Sequence, residues 1–456
     1  MKGAKRASAR IRRPEHGDPH PPVATEPADD NASRRWLTRV ILASAILIPL
    51  VISIGGENAF RYPKELALRL ETILLVAMLV CFWAFGRLAL SLDIRQKWFA
   101  LTAMICFWTI LSACFSTNRL VSLPPTIRVL EYALVFTLTV LVLHGRQTWI
   151  AGVIVPPAIV NAIIYLLQEG DVWSPFDTSS ALEKHIGRTA LIGNPNDVGG
   201  YFVVPALLAV TLAMVHRRRR IVWAGAAGVL IIATFMTQTV AAIGALVVAL
   251  IVLFALWFRS WLKALSAFLI IVICAGAISV AYRPLRDRAA AMREAVLKRD
   301  YDAFSAARML PFLAAAEMVR DRPLIGVGPG CFAYNFFEYK LGVQKRHRWL
   351  FGPTVTGNNF GEVHNDHLQV ASETGLPGYA LFLAALVLIA AGSIRRRDAE
   401  SGNDDDGSRA EFVRLLSLPL AVSLFVLALA QFPLELVAPT HGYLWAAAAV
   451  VSWRRW

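Results

Sequence analysis

Charge is scarce in this sequence. Only 17% of its 456 residues are Asp, Glu, Lys or Arg, against about 25% in an ordinary soluble domain. With 56% hydrophobic residues and a mean hydropathy of +0.52, the chain does not fit a soluble multidomain enzyme. Disorder is excluded over most of the length, because it needs low hydrophobicity. Cysteine is also thin, with five residues. Cys81, Cys106, Cys114 and Cys274 lie in apolar runs and Cys331 stands alone. No disulfide framework is expected, and Cys114–Cys331 is the one pairing left open.

Several motifs are missing. Gly326-Val-Gly-Pro-Gly330 has no following Lys-Ser/Thr and no βαβ context, so it is neither a P-loop nor a dinucleotide turn. Its glycines fit a tight turn under the aromatic run Phe332 to Tyr339. There is no Gly-x-Ser-x-Gly elbow and no His-Glu-x-x-His. Charges inside apolar runs, such as Glu131, are too few for a proton-relay series.

What the chain does have is long apolar runs. A bilayer core of about 30 Å needs about 20 apolar residues per helix. That length predicts an all-α polytopic transmembrane bundle of about twelve spans. They fall near 37–54, 69–90, 98–115, 127–144, 148–167, 196–215, 221–237, 239–258, 262–281, 375–393, 412–431 and 441–454. The turn at Gln238 divides a run too long for one span. The final span is short and can be tilted or partial.

The charge that remains is lopsided, with 46 Lys and Arg against 32 Asp and Glu, a net +14. Nucleic acid is excluded as a partner, because the charge comes in bursts between apolar runs. Short cytoplasmic loops of membrane proteins collect Lys and Arg. With the N-terminus inside, the inner loops carry Arg95 and Lys97, Arg146, Arg217 to Arg220, Arg259 and Lys263, and Arg395 to Arg397. The short outer loops carry few: Arg61 and Lys64, Arg119, and none in 432–440. Both termini are therefore expected in the cytoplasm.

Residues 1–36 read as a disordered basic cytoplasmic tail, with no small-residue cleavage site after a short apolar stretch. Spans one to nine occupy 37–281 and spans ten to twelve 375–456. The acidic run Asp404 to Asp406 reads as a solvated linker. Between spans nine and ten lies an outer loop, 282–374, long enough to be functional or a small domain. It holds 13 Lys/Arg and 10 Asp/Glu, so its own charge excess is small. Residues 285–299 and 303–321 have helix-forming composition, with Pro311 as an interruption.

The densest polar cluster is His364-Asn365-Asp366-His367 with Gln369 and Glu373. On a helix, His364, His367 or Leu368, and Ala371 share one face. A histidine there can act as a general base, its ordinary pKa lying near 6.5. Either histidine can equally hold a structural hydrogen bond. A zinc site is disfavoured, because a third or fourth ligand is lacking. Arginines on the outer side are the second signal: Arg128, Arg188 beside Gly193-Asn-Pro-Asn196, and Arg308. Converging arginines would hold a pyrophosphate through their planar forks. Taken singly, each also fits interfacial anchoring.

Three ordered stretches together resemble the O-antigen ligase-related membrane family, which includes O-antigen ligases, O-antigen polymerases and bacterial O-linked protein oligosaccharyltransferases. They are Gly187-Arg-Thr-Ala-Leu-Ile-Gly-Asn-Pro-Asn196; Arg308 with Asp321-Arg-Pro-Leu-Ile-Gly-Val-Gly-Pro-Gly330 and Phe332; and His364-Asn-Asp-His-Leu-Gln369 with Glu373-Thr-Gly-Leu-Pro-Gly378. Tyr62-Pro-Lys-Glu65 resembles a subset of the family. The likeness runs over roughly 40–450.

The resemblance implies a membrane-embedded, metal-independent, inverting glycosyltransferase without a cofactor. It implies a polyprenyl-diphosphate-linked glycan donor, a lipid or polysaccharide acceptor, membrane lipids around it, and the bacterial inner membrane with the large loop periplasmic. O-antigen ligation to lipid A core is the first reading. O-antigen or exopolysaccharide polymerisation and transfer to protein are the alternatives. His364 takes the family's essential histidine, and Arg308 its loop arginine. Arg188, Arg128, Asn194, Asn196, Asn365 and Glu373 are expected to bind substrate with Arg308. One departure stands out: where the family often has an arginine, Thr237-Gln-Thr-Val-Ala241 has none. Arg188 or Arg128 is the expected substitute. A lipid-linked sugar transporter or flippase is the rival of a different class. It calls for paired midplane charges and inverted repeats. A structural scaffold would not need the His364 cluster.

Overall fold

A computed structural model of the chain describes residues 30–53, 58–88, 90, 92–143, 147–175, 188–258, 260–351, 359–394 and 404–452. Most of the predicted tail lies outside the described residues. Every regular element among them is helical. In chain order these are α1 Asp30–Leu47, α2 Arg61–Ala84, α3 Lys97–Cys114, α4 Arg119–Val142, α5 Gln147–Glu169, α6 Pro195–Val215, α7 Arg220–Met236, α8 Val240–Trp257 and α9 Trp261–Ala281. Then come α10 Arg283–Leu297, α11 Tyr301–Phe304, α12 Met309–Asp321, α13 Phe332–Arg346 and α14 Arg348–Phe351. The chain closes with α15 Asp366–Ala390, α16 Asp404–Ala428 and α17 Val437–Val451.

Among the described residues nine helices are long and apolar enough to cross a membrane: α2 to α8, α15 and α16. The bent pair α9–α10 raises the number to ten if it counts as one span. Twelve were expected, and the difference has a physical reason. α1 is helical but carries Arg34, Arg35 and Arg39. α17 has only 15 residues, 14 of them buried. Other helices surround it, so its length need not match a bilayer.

Two helices begin earlier than hydropathy placed them. α2 starts at Arg61, with Pro63 in its first turn, where the missing N–H costs nothing. Arg61, Lys64 and Glu65 are therefore helical residues and not loop charges. α4 starts at Arg119, capped by the Asn118 side chain. Arg128 thus sits more than two turns inside the helix, not at its end. The run expected as a linker is instead where α16 begins, at Asp404. Pro311 falls in the first turn of α12 and starts that helix instead of interrupting it.

The helices alternate in direction, so residues near 61, 119, 190, 238, 282–365 and 430–437 gather at one end. The exposed Arg217 to Arg220 lie at the other. α6 is the central post, with 15 of its 21 residues buried. It packs against α5, α7, α8, α16 and α17.

The long loop has an apolar core of its own. Leu310, Met318, Val327, Phe332, Phe336 and Val363 pack together, apart from the main core. The glycine stretch fastens this unit to the bundle. Gly326 and Gly328 both have positive φ, 76° and 112°. A Cβ at Gly326 would stand 2.3 Å from the Glu373 carbonyl oxygen, and one at Gly328 would stand 2.1 Å from the Ser116 Cβ. Only glycine allows both the backbone shape and the contact. All five cysteines are free, and Cys331 is buried beside the Ser122 hydroxyl at 3.2 Å.

Candidate functional site

The site forms at the loop-bearing end, where residues 359–365 meet α2, the start of α12 and the 430–436 connection. α15 is bent at Gly375 (φ 73°, ψ 177°), so a short helix 366–374 precedes the membrane-length part. Asn365 caps that short helix, its side-chain oxygen accepting from Leu368 N at 3.0 Å and its amide donating to Leu429 O at 2.9 Å.

His364 is not on the helix. It holds a left-handed backbone, φ 59°, so the helical face expected to join it to His367 and Ala371 does not exist. Such a backbone costs about 1–3 kcal/mol and persists only where the surroundings enforce it. Ala306 and Ala307, just before Arg308, have φ of 55° and 61°. His364 itself and the two residues that lead into Arg308 thus hold strained backbone.

The His364 imidazole is edge-on to Phe432, 4.7 Å between centroids, and to Phe360 at 6.2 Å. Its Nδ1 is buried without a hydrogen-bond partner. Burial first, then the charges of Arg308 and Arg61, push its pKa down to about 4. The ring is therefore neutral at physiological pH, with a nitrogen lone pair to offer. Arg308 donates to the Ala430 carbonyl at 2.7 Å. Arg61 lies over the Phe432 ring, 5.3 Å from its centroid. It pairs with Glu362 at 2.7 Å and reaches Asp197 at 3.9 Å.

The remaining expected residues divide into three groups. Arg128 pairs with Glu435 and, at 3.5 Å, with Glu65. Arg188 pairs with Glu169 at 2.8 Å. Glu169 also accepts from the Tyr282 hydroxyl, which in turn accepts from Gln238 at 3.2 Å. Arg188 is thereby tied to the turn that lacks the family's arginine. Asn196 accepts from Thr239 in the same turn at 3.3 Å, while Asn194 caps α6 through Asn196 N and Asp197 N. Glu373 is buried under the glycine loop, accepting from Gly330 N at 2.8 Å, Phe332 N at 3.4 Å and Gln369 at 3.1 Å. Asn194, Asn365 and Glu373 are thus occupied in holding backbone.

His367 carries a structural hydrogen bond, its Nε2 lying 2.9 Å from Phe425 O within a cage of Tyr379, Phe382 and Phe425. Among the described residues no three His, Cys, Asp or Glu side chains converge as a metal site. Sequence reading missed Arg61, Glu362 and Phe432. One signal was available: Arg61 is a cation in a stretch expected to carry few of them, which calls for a reason. Lys64, next to it, is buried with its ammonium donating to three carbonyls, those of Val51, Phe60 and Leu191.

Beside the site an apolar cavity of about 320 Å³ opens between α3, α4, α15, α16 and α17. Trp108, Phe382, Leu424 and Leu444 line its length. Arg128, Asp366 and Glu435 form its polar end, close in sequence to His364 and Phe432.

These features define an all-helical, multi-pass membrane protein with a cation-flanked histidine at one end of the bundle. Residues 226–383, about a third of the chain, match the family described as O-antigen ligase. The match supports an O-antigen ligase-related family, with ligase- or polymerase-type glycosyl transfer. It contains Arg308 and His364 and leaves out Arg61, Arg128 and Arg188. No curated protein matches the sequence.

Proposed function

We propose that the protein transfers a polyprenyl-diphosphate-linked glycan to an acceptor hydroxyl on the periplasmic side of the inner membrane, and that the acceptor is lipid A core. One observation carries this reading: a neutral, unpartnered His364 Nδ1 flanked by two arginines at the end of a membrane bundle. The basic cluster Arg217 to Arg220 at the opposite end supports the orientation.

The chemistry follows from the charges. The donor's diphosphate lies against Arg308, and the near part of its lipid tail in the apolar cavity. The acceptor oxygen attacks the anomeric carbon in line, and its proton passes to His364. The bond from that carbon to the diphosphate breaks, and the leaving diphosphate keeps the electron pair. Arginine stabilises the growing negative charge in a site poor in water. An inverted centre results. Bound diphosphate also offsets the cationic field that keeps His364 a weak base, so the base strengthens when the donor is in place.

The test is transfer by the purified full-length protein in vesicles, with a lipid-linked glycan and lipid A core. Labelled glycan should appear on the core, and His364→Ala should abolish it while leaving membrane insertion intact. Full activity in that variant sinks the mechanism. Deleting the gene separates the acceptors. Loss of attachment with full-length lipid-linked chains marks a ligase. Single repeat units on an intact anchor mark a polymerase.

A further inference from the structure

α2, α4 and α17 meet around two ionisable side chains deep in the bundle. The inward face of α2 is Lys64, Leu68, Glu71 and Leu75, one stripe at helical spacing. Glu71 is thus an acid between two leucines. It stands ten residues into α2, about 15 Å along the axis and so near the middle of a core of about 30 Å. His441 of α17 lies opposite, its Nε2 3.4 Å from the Glu71 Oε2, with side-chain exposures of 0% for the histidine and 1% for the glutamate. Tyr132 of α4 stands edge-on to the imidazole at 5.4 Å between centroids, and Trp445, one turn further along α17, lies at 4.7 Å. An ionisable pair this deep in a membrane bundle calls for a reason of its own.

Hydrogen-bond direction decides the protonation. The His441 Nδ1 lies 3.0 Å from the Val437 carbonyl oxygen. A carbonyl only accepts, so Nδ1 carries a hydrogen. A neutral ring then leaves a lone pair on Nε2, and an ionised carboxylate is also only an acceptor. Two lone pairs would face each other across 3.4 Å, beside a full negative charge in a place closed to solvent. Neither Glu71 oxygen nor the His441 Nε2 has another hydrogen-bond partner among the described residues. Arg128, one turn before Tyr132 on α4, is committed to Glu435 and Glu65. Arg69 of α2 is exposed and lines a separate polar pocket with Glu65 and Glu131. One further proton removes the conflict. It sits either on Glu71, as a carboxylic acid donating to Nε2, or on the ring, as an imidazolium donating to Oε2. The pair is neutral as a whole in both forms, which is what burial demands of it.

We propose that Glu71 and His441 form a proton-binding site at the centre of the bundle, holding one proton between them and tying α2 to α17 through it. Both side chains are sealed from solvent, so the proton is held and not passed on. The site is made of residues the transfer mechanism does not use, and it stands independently of that reaction. Its effect reaches the cavity nonetheless. Glu435 stands two residues ahead of α17 and pairs with Arg128 of α4, so the docking of α17 also sets the polar end of the cavity.

The experiment uses the full-length protein in vesicles at neutral pH. Infrared difference spectra between wild type and Glu71→Gln report the state of the carboxyl. Solid-state NMR of protein carrying isotope-labelled histidine reports both ring nitrogens of His441, as the signals that move in that variant. The expected result is a carboxylic acid with a neutral ring, or a carboxylate with an imidazolium. Glu71→Gln should insert and melt close to wild type, because its amide supplies the hydrogen that Nε2 needs. Glu71→Asp, an acid on a shorter arm, takes its place if it does not. Glu71→Leu leaves Nε2 unmet and should lower the melting temperature more than Glu71→Gln, and adding His441→Leu should recover part of that loss. An ionised Glu71 beside a neutral His441 overturns the proposal, and so does a variant that changes neither spectrum. A proton leak across the vesicles that depends on Glu71 overturns it as well, because the site is then a conduit.

Discussion

His364 and Phe432 stand edge to face, 4.7 Å between ring centroids. The same ring carries the Arg61 guanidinium. Phe432 therefore keeps water from the histidine while holding a cation near it. An imidazole in such surroundings pays for a proton twice, once in lost hydration and once in charge repulsion.

That relationship sets a pH dependence. The folded-state pKa of His364 is about 4, below the ordinary 6.5. As pH falls, the unfolded chain takes up this proton first. The histidine's contribution to stability is thus complete above about 6.5 and is lost progressively down to about 4. Thermal unfolding of the wild type in detergent should show this acid sensitivity, and His364→Gln should lessen it. In kinetics, the acid limb of kcat/KM should lie nearer 4 than 6.5. The acid limb of kcat should lie higher, because bound diphosphate offsets the arginines. Coincident limbs near 6.5 refute the electrostatic account.

Glu373 should be a stability residue. Glu373→Ala leaves Gly330 N–H and Phe332 N–H without their acceptor in a buried place. The cost is about 1–3 kcal/mol for each donor left unpaired. Glu373→Gln keeps one acceptor and should lose less. A thermal melt of both variants checks the order, and equal stability of all three proteins contradicts it.

Gly326→Ala combines a strained backbone with a collision against the Glu373 carbonyl. It should cost about 2 kcal/mol or more, and activity should fall with folding yield. Gly361→Ala, where an added Cβ meets nothing within 4 Å, is the control. Comparable yields for the two variants count against the tight docking of the loop.

Arg128 and Glu435 form a partly exposed pair at the polar end of the apolar cavity. Removing either partner should cost about 1–2 kcal/mol, between the values for exposed and buried pairs. The double substitution Arg128→Gln with Glu435→Gln should cost less than the sum of the singles. A double-mutant cycle on melting temperature measures the coupling, and additive costs show that the pair contributes nothing.

The helices were legible in the sequence because hydropathy and length are local properties. α3, α5, α6 and α8 sit within a few residues of their predicted spans. The starts of α2 and α4 were not legible, because hydropathy stops at the first charged residue while the backbone continues through it. The helical face given to His364 failed for another reason. A left-handed residue ahead of the Asn365 cap is set by packing on Phe432 and Phe360, far off in sequence or outside the helix. His364 and Arg308 were singled out in the sequence by their motifs. Phe432 and Glu362 carried no motif at all.

The sequence alone thus determined an apolar, many-helix bundle with one long polar loop, since burial in a membrane depends on composition over about 20 residues. Tertiary structure alone decided which cations are free. Arg61 and Glu362 are 301 positions apart and in contact, and Arg308 rests on a carbonyl 122 positions away. Pairing is a property of distance in space. No local pattern distinguishes an arginine neutralised by a carboxylate from one left to hold an anion.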